Sequence, residues 1–354
     1  ISFGIIIPVL PTLVTTFAGG DNAHGALVYG GFTAVWALMQ FFASPILGAL
    51  SDRYGRRPVI LLSCAGTGLD FILMAMAPNL AWLFIGRMIS GITAANFSTA
   101  SAYIADVTPP EKRAQVYGMF GMAFGAGLIV GPALGGLLGA FDPHLPFWAG
   151  AVLALVNAAY GYFVLPESLA PEHRRPFSWR SANPIGALKL LRSHPELMSM
   201  ASINFLSQLA HAVYPTVIVL YMGYRFSWDA GAIGMTMALL GFCSAIVQGG
   251  LTGPVVRYLG ERQALLFSLL IGIAGFVIFG LSPTGLLFLC GIPVVALAGF
   301  AGPAMQSLMT QRVSASEQGL LQGANAALVG ITGMVGPILF SLTYAYFIAP
   351  DSVI

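Results

Sequence analysis

Asp70, in GTGLDFILMA, and Arg87, in FIGRMISG, are ionisable residues set inside long apolar runs. A charged side chain at the middle of a bilayer costs about 2.5–3.5 kcal/mol on insertion scales, so such residues serve a function by default. A carboxyl at that depth can take up and release a proton. An arginine near it can position the carboxylate, or reach the interface along its apolar stem. A second concentration of charge stands between apolar runs. GALSDRYGRR, residues 48–57, places Asp52, Arg53, Arg56 and Arg57 beside Gly48 and Gly55. The glycines suit a tight turn with close backbone approach, and an Asp beside helix ends pairs with an Arg in a partly desolvated place. A positive anchor facing the cytoplasm is the plainer reading of the same loop.

The elements that must position these groups follow from composition. Of 354 residues 57% are hydrophobic and 8% charged, with a mean hydropathy of +0.83. Globular proteins carry about 25% charged residues, so the medium around most of this chain is lipid. A transmembrane helix needs about 20 apolar residues, and runs of that kind lie near 1–18, 25–50, 58–77, 79–106, 113–140, 145–165, 196–223, 228–256, 262–281, 284–311 and 317–348. Of the 15 Lys and Arg, 13 fall in or beside loops of one parity, and Arg225 and Arg87 are the exceptions. Positive residues favour cytoplasmic loops, which puts residues 48–57 and the amino terminus in the cytoplasm. Ile1 stands inside an apolar run, so the chain as given is expected to begin, and to end, partway through a larger protein.

The halves repeat. A shift of 205 residues lays Gly48 on Gly253, Gly55 on Gly260, Arg57 on Arg262, Gly118 on Gly323, Gly131 on Gly336 and Pro132 on Pro337. The polar, proline-rich and basic stretch 166–195 separates an amino-terminal bundle, 1–165, from a carboxy-terminal bundle, 196–354. The expectation is an all-α integral membrane protein of two six-helix bundles: twelve helices, about eleven of them in this chain. Parallel repeats of that kind hold a substrate site near the midplane between them.

Other classes are excluded or unsupported. A net charge of +2 gives no argument for nucleic acid as a partner. Cys64, Cys243 and Cys290 sit in apolar runs without ligand spacing. No phosphate-binding Gly-xxxx-Gly-Lys-Ser/Thr occurs, and the two lysines, Lys112 and Lys189, lie outside glycine-rich loops. The spans carry no catalytic constellation, so the chain reads as a non-enzyme needing no cofactor and driven by an ion gradient.

GALSDRYGRRPV resembles the loop signature between helices 2 and 3 of the major facilitator transporters. GLIVGPALGG, residues 127–136, resembles the helix 5 motif of the antiporting branch, with Gly127, Gly131, Pro132, Gly135 and Gly136 as its residues. FASPILGALSDRYGRRPV, FIGRMISGIT, AYIADVTPPEKRAQVYG, LTGPVVRYLGERQAL and LLQGANAALVGITGMVGPILF follow in the order and spacing of bacterial tetracycline efflux pumps. The resemblance implies proton-coupled efflux of an amphipathic drug, tetracycline among the candidates, across the bacterial inner membrane by alternating access. A symporter of another small metabolite with the same fold is the rival. The resemblance also implies that Asp70 and Arg87 couple protons, and that Asp52 and Arg56 form a latch that breaks as the protein changes state. A tetracycline substrate would carry a divalent metal with it.

Substrate-binding candidates are the uncharged polar residues and the histidine within spans: Gln40, Asn96, Asn204, Gln208, His211 and Gln306. His211 stands out because an imidazole exchanges protons near neutral pH. Met39, Met305 and Met309 with Phe41, Phe42, Phe205 and Phe300 would offer an adaptable apolar wall. The sequence departs from the tetracycline pumps at two places. Their helix 8 histidine and helix 9 aspartate correspond to Ser244 and Gly272 here. Coupling is then expected to rest on the amino-terminal half.

Overall fold

The computed structural model describes residues 2–94, 97–174, 177, 195–312 and 318–348. The first apolar run forms α1 (Ser2–Ile5) and α2 (Leu10–Phe17), parted by a turn that holds Pro8. A proline lacks the N–H that would carry a helix through. Then come α3 (Asn22–Tyr54), α4 (Arg56–Ala75), α5 (Leu80–Ala94), α6 (Phe97–Val107), α7 (Pro110–Phe141) and α8 (Leu145–Val164). Asp21 caps α3 by accepting from the backbone N–H of Ala23 at 3.0 Å.

The later elements are α9 (Pro195–His211), α10 (Ile218–Phe226), α11 (Ala230–Ile246), α12 (Thr252–Leu259), α13 (Glu261–Leu281), α14 (Gly285–Leu297), α15 (Ala301–Thr310) and α16 (Gln318–Ile348). A π-helical turn over Val247–Leu251 joins α11 to α12, and a 3₁₀ turn over Ala298–Phe300 joins α14 to α15. Among the described residues there is no strand. Eight helical stretches among the described residues are long and apolar enough to cross a membrane.

Two helix pairs carry most of the contact between the first half of the chain and the second: α3 lies along α16 and α7 along α11. The 205-residue shift moves α3 onto α11 and α7 onto α16, so it exchanges one pair for the other. Small residues make both contacts possible. Gly136 faces Gly234, where an added Cβ would meet the Gly234 Cα at 2.8 Å. Gly333 would meet the Ala37 methyl at 3.2 Å. Close approach of this kind is how membrane helices gain packing where lipid is as apolar as they are. The α3–α16 contact runs from Gly30 beside Ser341 to Phe41 beside Gly330, the α7–α11 contact from Gly136 beside Gly234 to Ile129 beside Gly241. Both lie toward the end of the molecule away from residues 52–57. We call these the far end and the hairpin end.

The structure corrects the reading of residues 48–57 as a loop. α3 continues through Tyr54 and α4 begins at Arg56, leaving Gly55 as the joint. Gly48 lies inside α3, and a Cβ there would meet nothing within 4 Å, so it mediates no close approach.

Candidate functional site

At the hairpin end the joint is built on backbone geometry. Gly55 has φ +105°, a region L side chains rarely adopt, and a Cβ there would fall on the Glu167 carboxylate. As a cap residue Gly55 offers no side chain, and Glu167 takes that role from beyond α8. Its Oε1 accepts from the Arg56 N–H at 2.9 Å and its Oε2 from the Arg57 N–H at 3.3 Å, satisfying donors that a helix start leaves open. Arg56 donates to Asp52 Oδ1 at 2.5 Å, to Ser51 Oγ at 2.7 Å and to Asp106 Oδ2 at 3.2 Å. Ser168 Oγ donates to the same Asp106 oxygen at 3.1 Å.

The expected pairing of Asp52 with Arg56 is present, inside a wider network that gathers α3, α4, α6 and the segment after α8. Arg57 donates to the Tyr162 carbonyl at 2.6 Å and lies over its ring, while Arg53 stacks on Tyr54 outside the network. Sequence reasoning missed Glu167. Its signal was a carboxylate in PESL, 112 residues downstream of the glycine it serves.

Asp70 faces the interior of α4, with 1% of its surface exposed. Gly86 of α5 lies against it, where a Cβ would stand 3.2 Å from Oδ1. The next residue, Arg87, is 5% exposed, with its guanidinium 5.3 Å above the Trp36 ring of α3. Arg87 and Ser90 face Asp70. Among the described residues neither carboxyl oxygen of Asp70, nor the Arg87 Nε, has a hydrogen-bond partner. A buried polar group without a partner carries a cost of about 1–3 kcal/mol. Arg87 does not reach the interface; it is buried beside the acid.

A cavity of about 250 Å³ lies in the second half of the chain. Asn204, Ser207, Gln208 and His211 line it from α9, Gln248 from the π turn, and Pro303 and Met305 from α15. His211 Nδ1 lies 2.7 Å from the Ser207 carbonyl. A carbonyl only accepts, so Nδ1 carries the hydrogen and the neutral ring keeps Nε2 as an acceptor. Tyr214 and Phe276 pack on the ring, with centroids 5.9 Å away.

Three of the six polar candidates, Asn204, Gln208 and His211, thus line one cavity. Gln306 instead accepts from Asn325 Nδ2 at 3.1 Å, and Gln40 is half-buried on α3 away from the cavity lining. Asn96 lies outside the described residues. The apolar wall is corrected: Met305 lines the cavity, but Met309 and Phe300 are buried in the core and Phe42 is half exposed. Ser207 and Gln248 were missed; the signal for Gln248 was an amide beside two glycines within an apolar run. Gly272 packs closely on Ala298: a Cβ there would stand 3.3 Å from the Ala298 methyl, so a side chain would need its neighbour to yield by a few tenths of an ångström.

The glycine stripe of α7 accommodates two neighbours. Gly4 of α1 lies against Gly127 and Gly131, the Ile5 carbonyl presses on Gly135, and Gly136 meets α11. Pro132 stays within an unbroken α7, its carbonyl close to Gly234.

A multi-pass helical membrane protein with a buried ionisable pair in one half and a polar cavity in the other has the architecture of a transporter. The chain belongs to the Major Facilitator Superfamily, whose profile matches residues 1–337. It is 38% identical over 345 residues to the Escherichia coli protein "Tetracycline resistance protein, class C", covering 98% of this chain and 86% of that one. It is 36% identical to the class G protein of Vibrio anguillarum, covering 97% and 86%. Among solved structures it is similar to the human organic anion transporter MFSD10 (TETRAN), with a TM-score of 0.72, 23% identity and coverage of 97% and 90%. At that identity the likeness speaks for the fold.

Proposed function

We propose that this protein expels an amphipathic compound, tetracycline being the first to test, in exchange for protons, by alternating access between an amino-terminal bundle (1–165) and a carboxy-terminal bundle (196–354). It does so in the bacterial inner membrane, with the hairpin end and the amino terminus in the cytoplasm. The observation that carries the reading is Asp70: a carboxyl 1% exposed, without a hydrogen-bond partner, facing a buried arginine. Its relatives among tetracycline resistance proteins support the substrate class.

The cycle needs no bound cofactor. The proton gradient supplies it, each charge moved through 100 mV yielding about 2.3 kcal/mol. Protonation of Asp70 and occupation of the cavity favour different conformations, so each shifts the population against the other. Asp52 and Arg56 hold the hairpin end together in one of those conformations.

A second reading, transport of a small neutral metabolite, is favoured by Ser244 and Gly272, which stand where the resembled pumps carry a histidine and an aspartate. The cavity lining offers hydrogen-bonding groups, from Asn204, Ser207, Gln208, His211 and Gln248, to hold such a substrate.

The test is proton release from purified protein in weakly buffered detergent as tetracycline is added, with Asp70→Asn alongside. Release on binding that Asp70→Asn abolishes supports antiport. Binding with no release in either form overturns it and moves the metabolite reading ahead.

A further inference from the structure

The run 196–223 is broken immediately after His211. α9 ends there and α10 resumes at Ile218, with Pro215 in the break. Thr216 Oγ1 satisfies one carbonyl of the break, that of Ala212, at 2.5 Å. The Pro215 carbonyl is taken by a residue from the other half of the chain: the Tyr29 hydroxyl, two turns into α3, donates to it at 2.8 Å. A second tyrosine does similar work nearby. Tyr344 of α16 donates to the Leu220 carbonyl of α10 at 3.1 Å. Both bonds tie this segment in at the far end.

The two tyrosines differ in what stands behind them. The ionisable neighbours of Tyr344 are two further tyrosines, Tyr221 and Tyr224. Tyr29 is buried as a neutral phenol, and it and Asp70 are the two ionisable side chains that neighbour Arg87. Arg87 is also fixed over Trp36, which lies seven residues from Tyr29 on the same face of α3. Asp70, Arg87 and Tyr29 are thus successive neighbours, and the Tyr29 hydrogen bond carries the series on to Pro215, four residues from a histidine that lines the cavity.

We propose that Tyr29 is a positioning residue that carries the charge state of the Asp70–Arg87 pair to the break after α9, and so to the far-end closure and the cavity. This rests on the antiport reading. A tyrosine hydroxyl can donate one hydrogen bond while accepting another. When Asp70 is protonated, Arg87 loses its carboxylate and turns to the Tyr29 oxygen. Accepting from a cation polarises the O–H and strengthens its donation to Pro215, which holds the far end closed. When Asp70 is ionised it draws Arg87 away, the Tyr29–Pro215 bond weakens, and the far end opens. The ionisable groups facing this route are Asp70 from α4, Arg87 from α5 and, past the bond, His211 and Tyr214 at the break. Thr33 and Ser90 are its polar neighbours.

The test needs no substrate. Ala81 and Leu286 are exposed residues at the far end, in the first turns of α5 and α14, and the 205-residue shift relates them. Nitroxides at Ala81→Cys and Leu286→Cys, in the full protein with Cys64, Cys243 and Cys290 replaced by Ala, report far-end opening by pulsed electron resonance in lipid nanodiscs at about pH 5 and pH 9. The expected parent closes at low pH and opens at high pH. Loss of one neutral hydrogen bond is worth about fivefold in the open-to-closed ratio. Tyr344→Phe shifts that ratio and leaves its pH dependence intact. Tyr29→Phe gives a shift of the same size and removes the dependence. Asp70→Asn removes the dependence with the far end closed.

A Tyr29→Phe protein that still follows pH as the parent does overturns the inference and leaves antiport standing. A parent that does not respond to pH overturns both. A response that survives in Asp70→Asn overturns the route from Asp70.

Discussion

Asp70 and Arg87 have as their partners under the 205-residue shift Gly275 and Ile292. In the first half these places hold a buried acid and a buried base. In the second they hold a glycine pressed against Val295 and an aliphatic side chain 1% exposed among Phe279 and Phe288. The joint between consecutive helices shows the same divergence. Gly55 and Gly260 share a backbone shape, φ +105° with ψ 157° and φ +77° with ψ 158°. After Gly55 comes Arg56, which reaches Asp106 at 3.2 Å; after Gly260 comes Glu261, which accepts from Gln311 at 3.2 Å. Residue 311 is the repeat of residue 106. The same cross-helix bond is therefore made twice, once between ions and once with a neutral donor and the direction of donation reversed. The backbone scaffold was kept in both halves. Charge stayed in the half that holds the ionisable pair, and the cavity opened in the other.

Forcing the two interiors to match is the severest way to break this contrast. Ile292→Arg places a cation among Phe279, Phe288 and Val295 with no acid beside it, since residue 275 is glycine. An unpaired buried charge is strongly destabilising, about 3–5 kcal/mol when a partner is lacking. The expected outcome is loss of a monodisperse peak in size-exclusion chromatography of the detergent-purified protein. Arg87→Ile, the converse change, leaves Asp70 free to become neutral, so that protein is expected to fold with a lowered melting midpoint. Equal behaviour of the two variants would show that the halves do not differ in their tolerance of charge.

The joints give a smaller contrast. Arg56→Gln removes two ion pairs, to Asp52 and to Asp106, at a side chain only 11% exposed. Its partners are partly solvated, so the expected loss is about 1 kcal/mol. It should show as a lowered melting midpoint and a weaker dependence of that midpoint on salt. Glu261→Gln keeps an acceptor for Ser307 and Gln311 and should leave both unchanged. A salt dependence that persists undiminished in Arg56→Gln would place the screened charges elsewhere.

Hydropathy made most of the fold legible. The runs 58–77, 145–165 and 262–281 became Arg56–Ala75, Leu145–Val164 and Glu261–Leu281, because a helix must satisfy its own backbone in lipid. The interruptions were not legible. Pro8 and Pro215 stand in breaks, whereas Pro45, Pro132, Pro293 and Pro337 lie within continuous helices. Nothing in the residue type separates the two sets; neighbouring side chains such as Thr216 decide which freed carbonyls find partners. Asp70 and Arg87 could be found because any charge in an apolar run is conspicuous. The cavity could be found only in part, since a glutamine that lines it (Gln208) and one that bonds a neighbouring helix (Gln306) look alike until the helix faces are known. Glu167 was hidden by distance along the chain, its use set by a glycine joint that only the folded backbone reveals.

The smallest test concerns the turn after α7, where the repeat has diverged again: Asp142 stands in the first half and Phe347 at the shifted position. Asp142 Oδ1 accepts from the His144 N–H at 2.6 Å and lies 3.3 Å from its Nδ1. The backbone hydrogen bond from His144, with that side chain's further contribution, holds the Asp142 carboxyl below the usual carboxylate range. A carboxyl with a depressed pKa in the folded state stabilises it fully above the unfolded value of about 3.9 and loses that contribution as pH falls through the folded value. The difference in melting midpoint between the parent and Asp142→Ala should thus stay constant from neutral pH down to about pH 5 and close in more acidic buffer. Nothing of this kind can arise at Phe347, so Phe347→Ala should differ from the parent by an amount that does not vary with pH over the same range. A gap for Asp142→Ala that failed to close in acid would mean that the carboxylate form is not what this turn selects, and that the two ends of the repeat differ in packing alone.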